Sequence, residues 1–233
     1  MTSIAQSRRR FDGCVVLVTG GTSGIGAAAA MQFAAEGAHV LITGRNDARG
    51  AEIASSHDNV QFHHVDVTDR AAIDALVTTI EATFGRLDVV VNSAGVVNAR
   101  PFASMSTRHW HEMIDTNLTG AFHVSQSALP LLRSTVADGK APSTSIVNLS
   151  SLNGLRVDPG MSAYGSAKAA LIALTEGMAL ELIESGVRVN CVSPGAIDTP
   201  MSSSTAGDES NSEAFTSAIP AGRYGTAEEV AAA

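Results

Sequence analysis

Along the chain, short apolar runs rich in β-branched residues alternate with longer alanine-rich segments in which polar positions recur. The runs are CVVLVT (14–19), HVLIT (39–43), VQFHHVD (60–66), LDVVVNS (87–93), TSIVNLS (144–150) and VRVNCVS (187–193). Nearly continuous hydrophobicity of this length marks strands covered on both faces, as in a parallel sheet. The segments between them, near 25–36, 46–55, 70–84, 106–136 and 161–184, predict helices. Such alternation predicts a doubly wound α/β fold with a parallel sheet flanked by helices and joined by right-handed crossovers. One domain is expected over 12–233, after a flexible N-terminal arm at 1–11. The small polar stretch MSSSTAGDESNS (201–212) predicts a mobile loop, part of a substrate loop at about 200–222 that carries Met201, Phe215 and Ile219.

Composition narrows the classes. With 233 residues and 45% hydrophobic content, the chain suits one large domain. A net charge of −8 lacks the basic face that neutralises phosphates, so no nucleic-acid partner is expected and small molecules are favoured. No apolar run approaches the ~20 residues of a membrane span, and the charged start TSIAQSRRR has no apolar segment behind it. Cys14 and Cys191 lie far apart within apolar runs and read as buried thiols, which predicts a soluble protein of the cytoplasm. His109 and His111 are two apart on a predicted helix, and His63 and His64 alternate across a strand, so no metal site is expected.

TGGTSGIG (19–26) directly follows the first strand and opens the first helix. Glycines there let a phosphate approach backbone N–H groups at a helix N-terminus. Gly20, Gly24 and Gly26, with Thr22, Ser23 and Ile25 between them, are therefore candidates for a pyrophosphate seat in a Rossmann-type domain. About 20 residues on, NAD-binding folds place an acid that meets the ribose 2′-hydroxyl. Here that place reads TGRN: Gly44 stands where the carboxylate would be, and Arg45 follows. A guanidinium without the acid fits a 2′-phosphate, so NADP(H) is the expected cofactor, with NAD(H) possible.

SAYGSAKAALIALTEG (162–177) puts Tyr164 and Lys168 on one helical face, one turn apart. Use of a phenol near pH 7 asks for a shift worth about 4 kcal/mol. One ammonium at about 5 Å, at an effective dielectric of about 20, supplies on the order of 3 kcal/mol. A cationic oxidised nicotinamide ring nearby would cover the remainder, so the pair is expected to transfer a proton once a cofactor is bound, with Tyr164 as acid in reduction and base in oxidation. NLSSLNGL places Ser150 and Ser151 at the carboxyl end of the fifth strand, where a hydroxyl can donate to a substrate carbonyl.

TGGTSGIG, NSAG (92–95), NLTG (117–120), NLSS (148–151), YGSAK (164–168) and SPGAIDT (193–199), in this order, resemble the short-chain dehydrogenase/reductase family. The resemblance implies that Tyr164 is the catalytic acid/base, and that Lys168 binds the nicotinamide ribose and lowers the phenol pKa. It makes Ser151 the carbonyl-orienting serine and Asn117 the holder of a water that links Lys168 to solvent. Asp66 would meet the adenine amino group with Val67 beside it, and Asn92, Ala94 and Gly95 would line the adenosine side. Pro194, Gly195, Ile197 and Thr199 would close over the nicotinamide. The implied activity is NADP(H)-dependent hydride transfer to a ketone or from a secondary alcohol. The alternatives are a 3-oxoacyl-thioester reductase or an NAD-dependent sugar or polyol dehydrogenase of the same family, and, outside catalysis, a dinucleotide-binding sensor. A homodimer or homotetramer is implied, built on helices such as 106–136 and 161–184. Relatives usually continue past GRYGTAEEV into a seventh strand, which this chain is expected to lack.

Overall fold

The computed structural model describes residues 9–203 and 216–233. Strands β1 (Val15–Thr19), β2 (His39–Gly44), β3 (Val60–His64), β4 (Val89–Asn92), β5 (Thr144–Leu149) and β6 (Val187–Val192) form one parallel sheet in the order β3-β2-β1-β4-β5-β6. This is the doubly wound, Rossmann-type sheet that the alternation predicts. The run at 60–66 leaves the strand after His64. Asp66 turns its Oδ1 back to the N–H and hydroxyl of Thr68, which takes the chain out of the ladder.

The helices are α1 (Gly24–Ala35), α2 (Asp47–Ser55), α3 (Arg70–Phe84), α4 (Thr107–Ile114), α5 (Gly120–Ala137), α6 (Ser162–Leu182), α7 (Pro200–Ser203) and α8 (Ala227–Ala231). Their ends follow local chemistry: Asn46 and Asp69 cap α2 and α3 by accepting from Arg49 and Ala72 N–H groups. Gly85 closes α3 in the left-handed region at φ 63°. The segment expected as one helix at 106–136 is α4 and α5 joined by a π turn at Asp115–Thr119. Hydrophobic periodicity does not see such a turn, because the chain continues in the same direction.

Alternate side chains of each central strand feed opposite faces. Val15 and Leu17 of β1 pack with α3, α5 and the end of α6, through Ile80, Val124, Leu132 and Leu182. Val16 and Val18 pack on the other face with Ala30 and Ala34 of α1, Ile53 of α2 and Val230 of α8. With both faces covered, every residue of β1 and β4 is buried.

The described end of the N-terminal arm is anchored. Arg10 forks onto Glu36, and Phe11 meets Phe33 edge-on at 4.7 Å. The expected mobile loop at 201–212 lies mostly outside the described residues, as does Phe215. Among the described residues no helix is long and apolar enough to cross a membrane, and both cysteines are free and half-buried.

Candidate active site

Strand order reverses between β1 and β4, and the carboxyl ends of these strands part to leave a crevice, the place where doubly wound sheets take ligands. A cavity of about 620 Å³ opens there. Gly20, Thr22, Ser23, Gly24 and Ile25 form one wall, and Ser23 is extended and makes no side-chain cap to α1. An uncapped helix start facing a cavity offers its N–H groups to an anion. Gly20 sits at φ +66°, and a Cβ there would stand 2.7 Å from Ala94 Cα. Gly26 lies behind the wall: a Cβ would fall 2.4 Å from the Gly20 carbonyl oxygen, so this glycine lets α1 close against the turn.

Arg45, Asp66 and Val67 line the far end of the cavity. Gly44 has a steric reason beyond the missing acid, because a Cβ there would lie 2.6 Å from Thr22 Cγ2. Arg45 Nη1 stands 3.6 Å from Asp66 Oδ2. Burial alone would push the Asp66 carboxyl up. The N–H and hydroxyl of Thr68 together with Arg45 outweigh it and hold the group below the usual range. Thr43, also on the lining, has a buried hydroxyl without a partner among the described residues. Asn92, by contrast, is not on the lining. Its amide donates to Ser125 and Asn148 inside the sheet, and Asn148 passes the chain on to Thr175 of α6.

Tyr164, Lys168 and Asn117 meet at the near end. Lys168 is 5% exposed and donates to the Leu149 carbonyl at 2.7 Å; burial lowers its pKa to about 8. Its Nζ is 5.7 Å from the centre of the Tyr164 ring. The phenol, expected to be lowered by this lysine, is instead pushed above its ordinary value by burial, with a hydrogen bond to Ser151 pulling the other way. The reason is that both groups share one desolvated corner: the ammonium faces Leu149 and itself loses its proton readily.

The two serines separate. Ser150 is 5% exposed and donates to the Lys168 carbonyl, tying β5 to α6. Ser151 is the one hydrogen-bonded to Tyr164, and its hydroxyl oxygen also accepts from Asn153 N–H. Asn117 acts as a staple at the π turn. Its amide donates to the Val96 and Met113 carbonyls, and its Oδ1 accepts from Val96 N–H. Both side-chain N–H groups are thus committed to the protein. Gly95 is wedged between this amide and Lys168, since a Cβ there would be 2.8 Å from Asn117 Oδ1.

Pro194 and Thr199 line the cavity, whereas Gly195 and Ile197 do not. Ile197 instead bridges Gly225, which holds the segment against the last described stretch of chain. Sequence reasoning did not single out Asp47, Val96 or Thr116, all on the lining. They carry no motif of their own and arrive as neighbours of residues that do. Among the described residues no cluster of His, Cys, Asp or Glu has the arrangement of a metal site.

Fold and site together define an oxidoreductase with a nucleotide crevice at the sheet's switch point. The sequence profile of the family described as Enoyl-(Acyl carrier protein) reductase matches residues 20–233. The chain is 37% identical over 223 residues to a 3-oxoacyl-[acyl-carrier-protein] reductase of Chlamydia muridarum, covering 93% of this chain and 86% of that protein. To a reductase of the same description from Thermotoga maritima it is 38% identical over 226 residues, with 95% and 89% covered. A 3beta-hydroxysteroid dehydrogenase of Mediterraneibacter gnavus is 36% identical over 204 residues, with 85% and 71% covered. The chain belongs to the short-chain dehydrogenase/reductase family, oxidoreductases that bind NAD(P)(H) and act on CH–OH and carbonyl groups.

Proposed function

We propose that the protein reduces the ketone of a 3-oxoacyl thioester with NADPH. The observation that carries this reading is the contact of Tyr164 with Ser151 beside the buried Lys168, at one end of a cavity whose other end holds Arg45. The cavity suits a dinucleotide on its own features: the glycines that admit no Cβ, the uncapped start of α1 and the unpartnered Thr43 hydroxyl. Gly20, Ser23, Gly24 and Ile25 would hold the pyrophosphate, Arg45 a 2′-phosphate, and Asp66, Val67 and Ala94 the adenine side. Lys168, Pro194 and Thr199 would hold the nicotinamide half. When bound, the reduced nicotinamide supplies a hydride for the carbonyl carbon.

Ser151 Oγ orients the ketone and donates to its oxygen, and Tyr164 Oη gives that oxygen its proton. A phenol raised by burial keeps its proton at neutral pH, which suits the acid role and hence reduction. Lys168, 5.7 Å from the ring centre and with its pKa lowered by burial to about 8, is the ammonium from which the phenol's proton would be restored. The relatives named for 3-oxoacyl substrates support the substrate class. Leu152, Leu155 and Val157, which follow Ser151 in the chain and are 48%, 69% and 51% exposed, offer apolar surface that suits an acyl chain. Family likeness supports a homo-oligomer, which the proposal adopts.

The test is loss of NADPH absorbance with a panel of 3-oxoacyl thioesters, simple ketones, 3-oxosteroids and sugars. Thioesters are expected to give the highest kcat/KM; a steroid or sugar ahead of them overturns the substrate assignment. Tyr164→Phe is expected to cut turnover at least about 100-fold while NADPH binding stays within about twofold, because it removes the transferred proton and little else.

A further inference from the structure

Arg45 does not stand alone at the adenosine end. Asp47, the first residue of α2, lines the same cavity two positions beyond it. Its Oδ1 lies 2.7 Å from Nδ1 of His64, the last residue of β3. A carboxylate can only accept, so Nδ1 carries the hydrogen; the two side chains are 57% and 76% exposed, and the contact biases the carboxylate's position without locking it. Asn46, between Arg45 and Asp47, has its side-chain oxygen committed to the Arg49 N–H. Arg45 is shared already with Asp66 at 3.6 Å. The end of the cavity therefore sets one guanidinium against two carboxylates.

A 2′-phosphate brings a charge of about −1.5 to −2 at neutral pH and gains from Arg45, but it is repelled by both acids. A 2′-hydroxyl carries no charge and can donate to a carboxylate. We propose that Asp47, positioned by His64, is a second determinant of nucleotide choice that opposes Arg45, so that the site takes both NADPH and NADH instead of excluding one. The inference rests on the proposed dinucleotide site and adds to it a residue that works against phosphate.

The test measures dissociation constants of NADPH and NADH by nucleotide fluorescence for the wild type, Asp47→Asn and Asp47→Ser. Both substitutions keep a residue acceptable at a helix start, and thermal melting checks that the fold is intact. Removing the carboxylate is expected to raise the preference for NADPH over NADH about fivefold at low ionic strength, less so as salt screens the charges. Equal changes for the two nucleotides, or none, in both variants overturn the role of Asp47 while leaving the site itself standing. Failure of the wild type to bind either nucleotide overturns the proposed function, and the inference with it.

Discussion

Lys168 shows how much of the site is environment and how little is spacing. Burial drops its pKa from 10.5 to about 8. The folded state therefore binds fewer protons than the unfolded chain between these values, and stability rises with pH across that window. Below about pH 8 the full cost of keeping the charge buried is present, about 3 kcal/mol, and above about pH 10.5 it is gone. Lys168→Met removes the titration together with the bond to the Leu149 carbonyl. The wild type is expected to gain about 3 kcal/mol relative to this variant as pH rises from 7 to 10.5, read as the difference between their denaturant midpoints. A pH-independent difference would show that the lysine keeps an ordinary pKa in the fold. Motif order alone names Tyr164, Lys168, Ser151 and Asn117, and the fold brings Tyr164, Lys168 and Asn117 to one cavity. The direction of the phenol's shift was not legible, since an i, i+4 spacing says that two groups are near but not that both are dry.

At the scale of elements, the strand–turn–helix units were legible because burial on both faces and glycine or Asx punctuation are local signals. The π turn between α4 and α5 was not, because it depends on Asn117 reaching Val96, which is 21 residues away in sequence. Gly165 stands between Tyr164 and Lys168 on α6, where a Cβ would lie 2.7 Å from Val157 Cγ2. Its space is filled by Val157 and the Asn153 carbonyl, so it docks the Ser151 loop onto α6. The junction of β2 and α2 gives a sharper case. A Cβ at Gly44 would lie 2.6 Å from Thr22 Cγ2, so the absence of an acid there has a steric reason in the first glycine turn. Gly44→Asp is expected to weaken NADH and NADPH alike, about tenfold, through displacement of the turn. Adding Thr22→Ala frees the space, so NADH binding should recover while NADPH stays weak, since a carboxylate now faces the 2′-phosphate. Titration of both nucleotides against the two variants checks this; a double variant no better for NADH than Gly44→Asp would show that the two positions are uncoupled.

For the molecule as a whole, the sheet divides its labour between two edges. Its carboxyl edge is kept open for chemistry, with small residues and the buried Asn92–Asn148–Thr175 chain just behind it. Its amino edge is fastened by Asp88, which is 4% exposed. One oxygen accepts from the Val15 N–H at 2.8 Å, and both meet the fork of Arg86. Arg86 in turn donates to the Lys140 carbonyl beyond α5. LDVVVNS gives no hint of this, because the partners are distant in sequence: Val15 is 73 residues from Asp88, and the Lys140 carbonyl is 54 from Arg86. Asp88→Asn leaves an acceptor for Val15 but strips Arg86 of its charge partner; a fully buried pair would lose about 3–5 kcal/mol, and with Arg86 26% exposed the loss is about 2–4 kcal/mol. The melting temperature should fall by roughly 5–10 °C. Because the staple sits at the opposite end of the strands from Tyr164 and Arg45, kcat and the NADPH dissociation constant at 25 °C should stay within about twofold of wild type. Thermal melts and steady-state kinetics on the same preparation decide it. A loss of activity without a loss of stability would mean that the two edges of the sheet are coupled after all.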